Sequence, residues 1–149
     1  MCGYVKFRIR NYDDGTGELY VEVASKGFSG TSHACFDLAN LAEKSENFSQ
    51  YPLPADEDVY IRGGYWTEDA KNIREEHLYL SAYQVNLRGE VGLLVRLTEP
   101  CDDNLEGKFR RSISVVLRVT YAQIAMFSNQ IAALIRGDIS EIQIDEIED

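Results

Sequence analysis

The stretch from residue 112 to residue 137 constrains this chain more than any other. Ile113, Val115, Leu117 and Val119 alternate with their neighbours in the cleanest period of two in the sequence, which marks a strand with one buried face. The period changes at Thr120. Tyr121, Ile124, Phe127, Ile131, Leu134 and Ile135 then fall on one stripe at helical spacing over residues 121–136. Thr120 stands three residues before Gln123, the spacing of a capping box. Arg136 suits the negative end of a helix and Gly137 the residue beyond it. A strand that runs straight into an amphipathic helix calls for a helix packed on a sheet.

The other elements are weaker versions of the same signals. Val5, Phe7 and Ile9 alternate with Tyr4, Lys6, Arg8 and Arg10, predicting a strand with a basic outer face. Asn11 to Gly17 is turn chemistry around Asp14-Gly15. Leu19, Val21 and Val23 alternate with Glu18, Tyr20 and Glu22, so a first hairpin is expected, with the outer acids opposite the bases. Gly27-Phe28-Ser29-Gly30 marks a sharp backbone event, read as a bend or bulge, before a third strand at Thr31 to Phe36. Asp37 is placed as an N-cap, and Leu38, Leu41, Ser45 and Phe48 give a helix over 38–49. Pro52 and Pro54 end it.

Val59 and Ile61 form a short strand that meets Gly63-Gly64-Tyr65-Trp66, and polar residues 67–76 read as a loop. His77 to Val85 and Glu90 to Leu97 are strands joined through Asn86-Leu87-Arg88-Gly89. Pro100 to Lys108 is a polar excursion. Ile139, Ile142 and Ile144 allow a final strand or an extended tail. The expected fold is α+β: one twisted antiparallel sheet of about seven strands with two amphipathic helices packed on it, in a single domain over 1–149.

Charge separates the function classes. The chain carries −10 at neutral pH, and residues 138–149 hold six of its 25 acids and none of its 15 bases. Such a run is either a solvated terminus or an acidic surface for a basic partner. Direct binding of nucleic acid needs a net basic footprint and is excluded on that ground. No stretch is long and apolar enough to span a bilayer, and the N-terminal residues lack the apolar run of a signal peptide, so a cytoplasmic location is expected. Cys2, Cys35 and Cys101 cannot all pair within the chain and show no zinc-type spacing.

No catalytic or cofactor motif is complete. His33 and Cys35 lie two apart on a strand and share a face, and with His77 they would make three metal or pocket ligands if the fold brought them together. Ser29 lacks the spacing of a nucleophile elbow, and Gly63-Gly64 is too short to cradle phosphate. No cofactor or metal is expected. Phe28, Tyr65 and Trp66 flank glycines and would form a binding patch if exposed together, with Asp145, Glu146 and Glu148 as its acidic complement.

The order of elements carries one resemblance. Gly27-Phe28-Ser29-Gly30, the helix from Leu38 to Phe48, the strand at His77 to Tyr83, the Arg88-Gly89 turn, the strand at Val91 to Leu97 and the final strand–helix pair together resemble a group of small, acidic, uncharacterised bacterial proteins. The pattern is also loosely similar to WapI-type immunity proteins of contact-dependent toxin systems. Gly63-Gly64-Tyr65-Trp66 belongs more to the first group. The second resemblance implies a protein that binds and neutralises a toxin, with no catalytic residues. The function expected from the sequence is therefore a non-enzymatic protein-binding module with a basic protein, such as a toxin, as partner. Self-association stays open. The alternative is a small-molecule-binding or enzymatic domain using a pocket on the concave face of the sheet, with His33, Cys35 and His77 in it.

Overall fold

The computed structural model describes residues 3–100 and 110–148. All of the excursion after Pro100 that was read from the sequence, with Cys101, lies outside these residues, as does Cys2. Among the described residues the fold is α+β and every strand pairing is antiparallel. The strands number eight and divide between two four-stranded sheets, where the sequence reading expected about seven in one sheet.

Sheet A is built from β1 (Tyr4–Asn11), β2 (Thr16–Ser25), β3 (Phe28–Asp37) and β8 (Ile142–Asp145), in the order β3-β2-β1-β8. Sheet B is a plain meander of β4 (Val59–Trp66), β5 (Ile73–Gln84), β6 (Glu90–Thr98) and β7 (Ser112–Thr120). β3 touches all four strands of sheet B in turn, so it runs across them rather than along them. Ser32 locks this crossing: its hydroxyl donates to the Thr98 carbonyl at 2.7 Å.

The Gly27-to-Gly30 run is the tip of a hairpin and the start of β3, not a bend ahead of it. Lys26 (φ 50°) and Gly27 (φ 89°) both take positive φ, as a two-residue turn matched to strand twist requires. Ser25 and Phe28 therefore pair directly, and β3 begins three residues earlier than the sequence pattern indicated. Gly30 serves a different purpose. A Cβ there would stand 2.8 Å from Ile113 Cγ2, so the absent side chain lets β3 lie close on β7.

Helix α1 (Leu38–Ser45) starts where expected, with Asp37 Oδ1 accepting from the Asn40 N–H at 2.9 Å. It tightens into a 3-10 turn over Glu46–Ser49 rather than staying α-helical to residue 49. That turn buries Phe48. Helix α2 (Tyr121–Arg136) has both halves of its capping box: the Gln123 N–H donates to Thr120 Oγ1 at 3.1 Å and the Thr120 N–H donates to Gln123 Oε1 at 2.9 Å. At the other end the Asp138 N–H bonds back to the Ala133 carbonyl (2.9 Å) and that of Gly137 to the Leu134 carbonyl (3.2 Å), closing the helix with a left-handed glycine.

The acidic C-terminal segment is stitched into both sheets. Ile142 and Ile144 are buried and pair with Phe7 and Val5. Past β8, the Glu146 N–H donates to the Gly3 carbonyl (2.8 Å) and the Ile147 N–H to the Arg118 carbonyl on the edge of β7 (2.9 Å). The segment from 142 to 147 thus closes one side of the molecule.

The core lies between the sheets and under α2. Phe127 packs on Phe7 of β1 at 4.8 Å between ring centroids and on Phe48 at 5.5 Å. All three rings are almost fully buried. Replacing Phe127 by alanine removes a ring shared by α2, sheet A and the 3-10 turn, and is expected to cost about 3–5 kcal/mol. Denaturant unfolding of Phe127→Ala checks this; a loss under about 0.5 kcal/mol, the scale of a surface site, is the contrary result.

Candidate functional site

The inner faces of both sheets are filled by the core, so the openings of the molecule are surface grooves. One lies at the Val85 end of sheet B and another runs along its edge strand β4 to Trp66, and most of the residues singled out from the sequence sort between the two.

At one end the β5–β6 turn, the last residues of β7, the Lys26-Gly27 tip and the C-terminal segment meet. They enclose an open groove of about 500 Å³. Its apolar wall is Val85, Val116 and Ile147; its acidic wall is Glu90, Glu146 and Glu148. Glu146 is held in place by the Ser25 hydroxyl, which donates to its Oε1 at 2.6 Å. Arg118 lies 3.8 Å from Glu90. Val85 also lines a smaller recess of about 270 Å³ with Glu57, Asp58 and Leu87. Leu87 is 96% exposed at the turn tip, an extreme position for a leucine. Phe28, 66% exposed, follows two residues after Lys26. This end therefore joins exposed apolar side chains to five carboxylates.

The opposite end is shaped by β4 and β5. Their pairing slips at Gly63/Gly64 and again at Tyr65/Trp66. Leu78 pairs with Gly63 and Glu76 with Gly64, so His77 has no opposite number on β4. This bulge buries His77 and Leu78 side by side and sends Glu76 to the solvent face, where it bridges Arg62 (3.2 Å) and Arg96 (2.8 Å). A Cβ on Gly64 would run into the Glu75 carbonyl oxygen, which is why the slip falls at a glycine. The strand signal at Ile73 to Glu76 was hidden by Arg74, Glu75 and Glu76, so the sequence read these residues as loop.

Beyond the slip, Trp66 stands beside the β4–β5 loop. A groove of about 750 Å³ runs there along β4, α1 and the end of β3, and it takes in Cys35, Lys44, Tyr60, Arg62, Trp66 and Lys71. The loop is tightly closed: the Thr67 N–H donates to the Asn72 carbonyl at 2.9 Å and that of Ala70 to the Thr67 carbonyl at 2.8 Å. Asp69 accepts from the Thr67 hydroxyl at 2.6 Å and from the Lys71 N–H at 3.1 Å. The hydroxyl first, and the N–H second, hold its carboxyl below the usual aspartate range.

His33, Cys35 and His77 do not converge. His33 and Cys35 share the outer face of sheet A, as their spacing required, but line different grooves. His33 Nδ1 lies 3.3 Å from Glu18, which also accepts from the Tyr20 hydroxyl at 2.7 Å and pushes that phenol's pKa up. His77 is buried on sheet B, with Glu75 Oε1 2.7 Å from its Nε2 and the Tyr65 ring edge-on at 4.5 Å. Glu75 Oε2 in turn meets Arg110 at 3.1 Å. Among the described residues no group of three His, Cys, Asp or Glu side chains is placed to hold a metal ion. No helix of the described residues is long and apolar enough to cross a membrane.

The proposed aromatic patch is likewise divided. Tyr65 covers His77, Trp66 opens on the groove beside Cys35, and Phe28 stands at the Lys26-Gly27 tip, paired with Ser25, whose hydroxyl donates to Glu146. Asp145 pairs with Tyr4, and its carboxylate accepts from Gln143 at 2.7 Å. The sequence reading did not single out Val85, Leu87 as an exposed side chain, Val116, or the cations of the Trp66 groove. Leu87 was the most accessible of these signals, an apolar residue in the middle of a turn. No family model, curated protein or solved structure gives a significant match to this chain.

The low pKa of Asp69 sets a pH prediction. A carboxyl depressed in the folded protein contributes stability above its unfolded pKa of about 3.9 and loses it as pH falls through the folded value. The β4–β5 loop should therefore loosen only in acid, below about pH 4. Trp66 emission, the signal of the single tryptophan, should show that acid transition. In Asp69→Asn the transition should vanish, and its persistence there would assign it to another group.

Proposed function

We propose that the protein is a non-enzymatic protein-binding module whose partner is a basic protein, docking at the end of the molecule around Val85. The observation that carries this reading is the union, in one surface, of exposed Val85, Leu87 and Val116 with Glu57, Asp58, Glu90, Glu146 and Glu148. An apolar centre with a charged rim is the anatomy of a recognition surface. Among the described residues Lys26 and Arg118 are the only cations lining these two recesses, with Arg88 beside Leu87 in the turn, so five carboxylates face three cations and the local balance is acidic like the chain as a whole. A neutraliser of a cationic toxin, the role implied by the resemblance to immunity proteins, is the specific form we favour. Such a protein needs complementarity and no reaction centre.

The charge would steer encounter and the apolar side chains would hold the complex. The test is association kinetics with cationic proteins encoded beside this gene, over a salt series. The association rate should fall at least about tenfold from low to physiological salt. Glu57→Gln with Glu148→Gln should slow association, and Leu87→Ala should speed dissociation. Glu146 is a poor choice for this test, because its bond to Ser25 supports the fold. A partner whose association ignores both salt and these substitutions overturns the electrostatic mechanism, and the absence of any binding partner among those proteins overturns the toxin assignment.

A further inference from the structure

We propose that the groove beside Trp66 binds a small ligand that joins a planar ring to a dianionic group, the chemistry of a nucleoside monophosphate. This site shares no lining residue with the protein-binding surface and runs along the edge strand β4 of sheet B.

Charge is the first argument. In a chain of net charge −10, this groove is lined by Lys44, Arg62 and Lys71 against a single acid, Asp37. The Asp37 carboxylate is engaged as the cap of α1, accepting from the Asn40 N–H at 2.9 Å. Arg62 is only part-neutralised. One of its terminal nitrogens lies 3.2 Å from Glu76, which it shares with Arg96, while its Nε is buried and has no hydrogen-bond partner among the described residues. A buried donor left without an acceptor is costly unless something supplies one. Lys44 also borders a recess with Glu57 and Asp58, so the uncompensated positive charge lies toward Arg62 and Lys71, where a phosphate would meet two donors.

The second argument is shape. About 750 Å³ falls within the size range of small-molecule sites. Trp66 is a partly exposed ring in its wall, and an exposed indole accepts a stacked ring, while Tyr60, already stacked on Tyr79 at 5.7 Å between centroids, forms the adjoining wall. The third is rigidity. The loop that carries Lys71 is closed by its own hydrogen bonds, so little ordering is left to be done on binding.

Trp66 is the only tryptophan, so its fluorescence reads this groove directly. AMP is titrated into the full chain at low ionic strength, with adenosine and inorganic phosphate as the two half-ligands. A saturable change in Trp66 emission with AMP is expected, and each half-ligand should bind at least about tenfold more weakly. Lys44→Gln with Lys71→Gln should weaken AMP by about tenfold or more. Both side chains are exposed, so an unchanged circular dichroism spectrum should accompany that loss. The proposal is overturned if AMP gives no saturable signal, if adenosine binds as well as AMP, or if the double variant keeps its affinity. Amide shifts in a two-dimensional NMR spectrum that fall outside the groove would overturn it as well. None of these outcomes bears on the protein-binding surface, which shares no lining residue with this groove.

Discussion

Phe127 sits where the layers of this molecule meet. Its ring contacts Phe7 from sheet A and Phe48 from the turn after α1, while α2 itself leaves directly from the end of β7 in sheet B. Three elements distant in sequence therefore share one buried contact, and their relative placement follows from it. With α2 fixed, its first turn meets the C-terminal strand: the Gln123 side chain donates to the Asp145 carbonyl at 2.8 Å. That contact, together with burial of Ile142 and Ile144, brings Glu146 and Glu148 to the groove beside Val85. The acidic end of the protein is thus a product of core packing. A free tail would carry the same charges but would not hold them beside an apolar wall.

The same packing explains why sheet B ends in two different chemistries. Its Val85 end is a plain turn with Leu87 at the tip, flanked by acids from three separate segments. Its Trp66 end carries two register slips, and there β4 and α1 line one groove. The first slip also separates His77 from Glu76. His77 is buried against the half-buried Glu75 and the edge of the exposed Tyr65 ring, and Glu76 faces solvent between two arginines. A regular strand would have sent residues 75 and 77 to one face and residue 76 to the other without burying a histidine beside a leucine.

Local signals in the sequence were sound wherever a single element decides the outcome. Thr120 with Gln123, Asp37 and Gly137 all cap as their types and spacings required, because a cap is settled within a few residues. Alternation correctly separated buried Val5, Phe7, Val21, Val23, Leu117 and Val119 from their neighbours. It says which face of a strand is buried and nothing about which strand lies beside it. The division into two sheets depends on β8 returning to β1 and on β3 crossing sheet B, contacts that join opposite ends of the chain. For the same reason His33, Cys35 and His77 were a reasonable trio in the sequence and are dispersed in space. The Trp66 groove draws on four segments, from β3 to the start of β5, and no spacing rule links Lys44 to Lys71.

A chain of net charge −10 with a basic groove raises a question of range. β4 spans eight residues from Val59 to Trp66, roughly 26 Å of extended chain, and the groove runs along it from Tyr60 to Trp66. At physiological ionic strength, exposed charges are screened beyond about 8 Å. Glu90, Glu146 and Glu148 therefore contribute little to the potential felt beside Lys71, whereas Glu57 and Asp58 border a recess with Lys44 and Tyr60 and act on that part of the groove directly. At low salt the screening length approaches the length of the sheet, and the acidic end then opposes any anion approaching the other end. Added salt thus acts on the groove in two opposing ways, weakening its local attraction and lifting the distant repulsion. At the Val85 end the local and overall charges have the same sign, so salt can only weaken attraction to a basic partner. Net charge governs encounter from a distance, and the residues within one screening length govern what each end can hold.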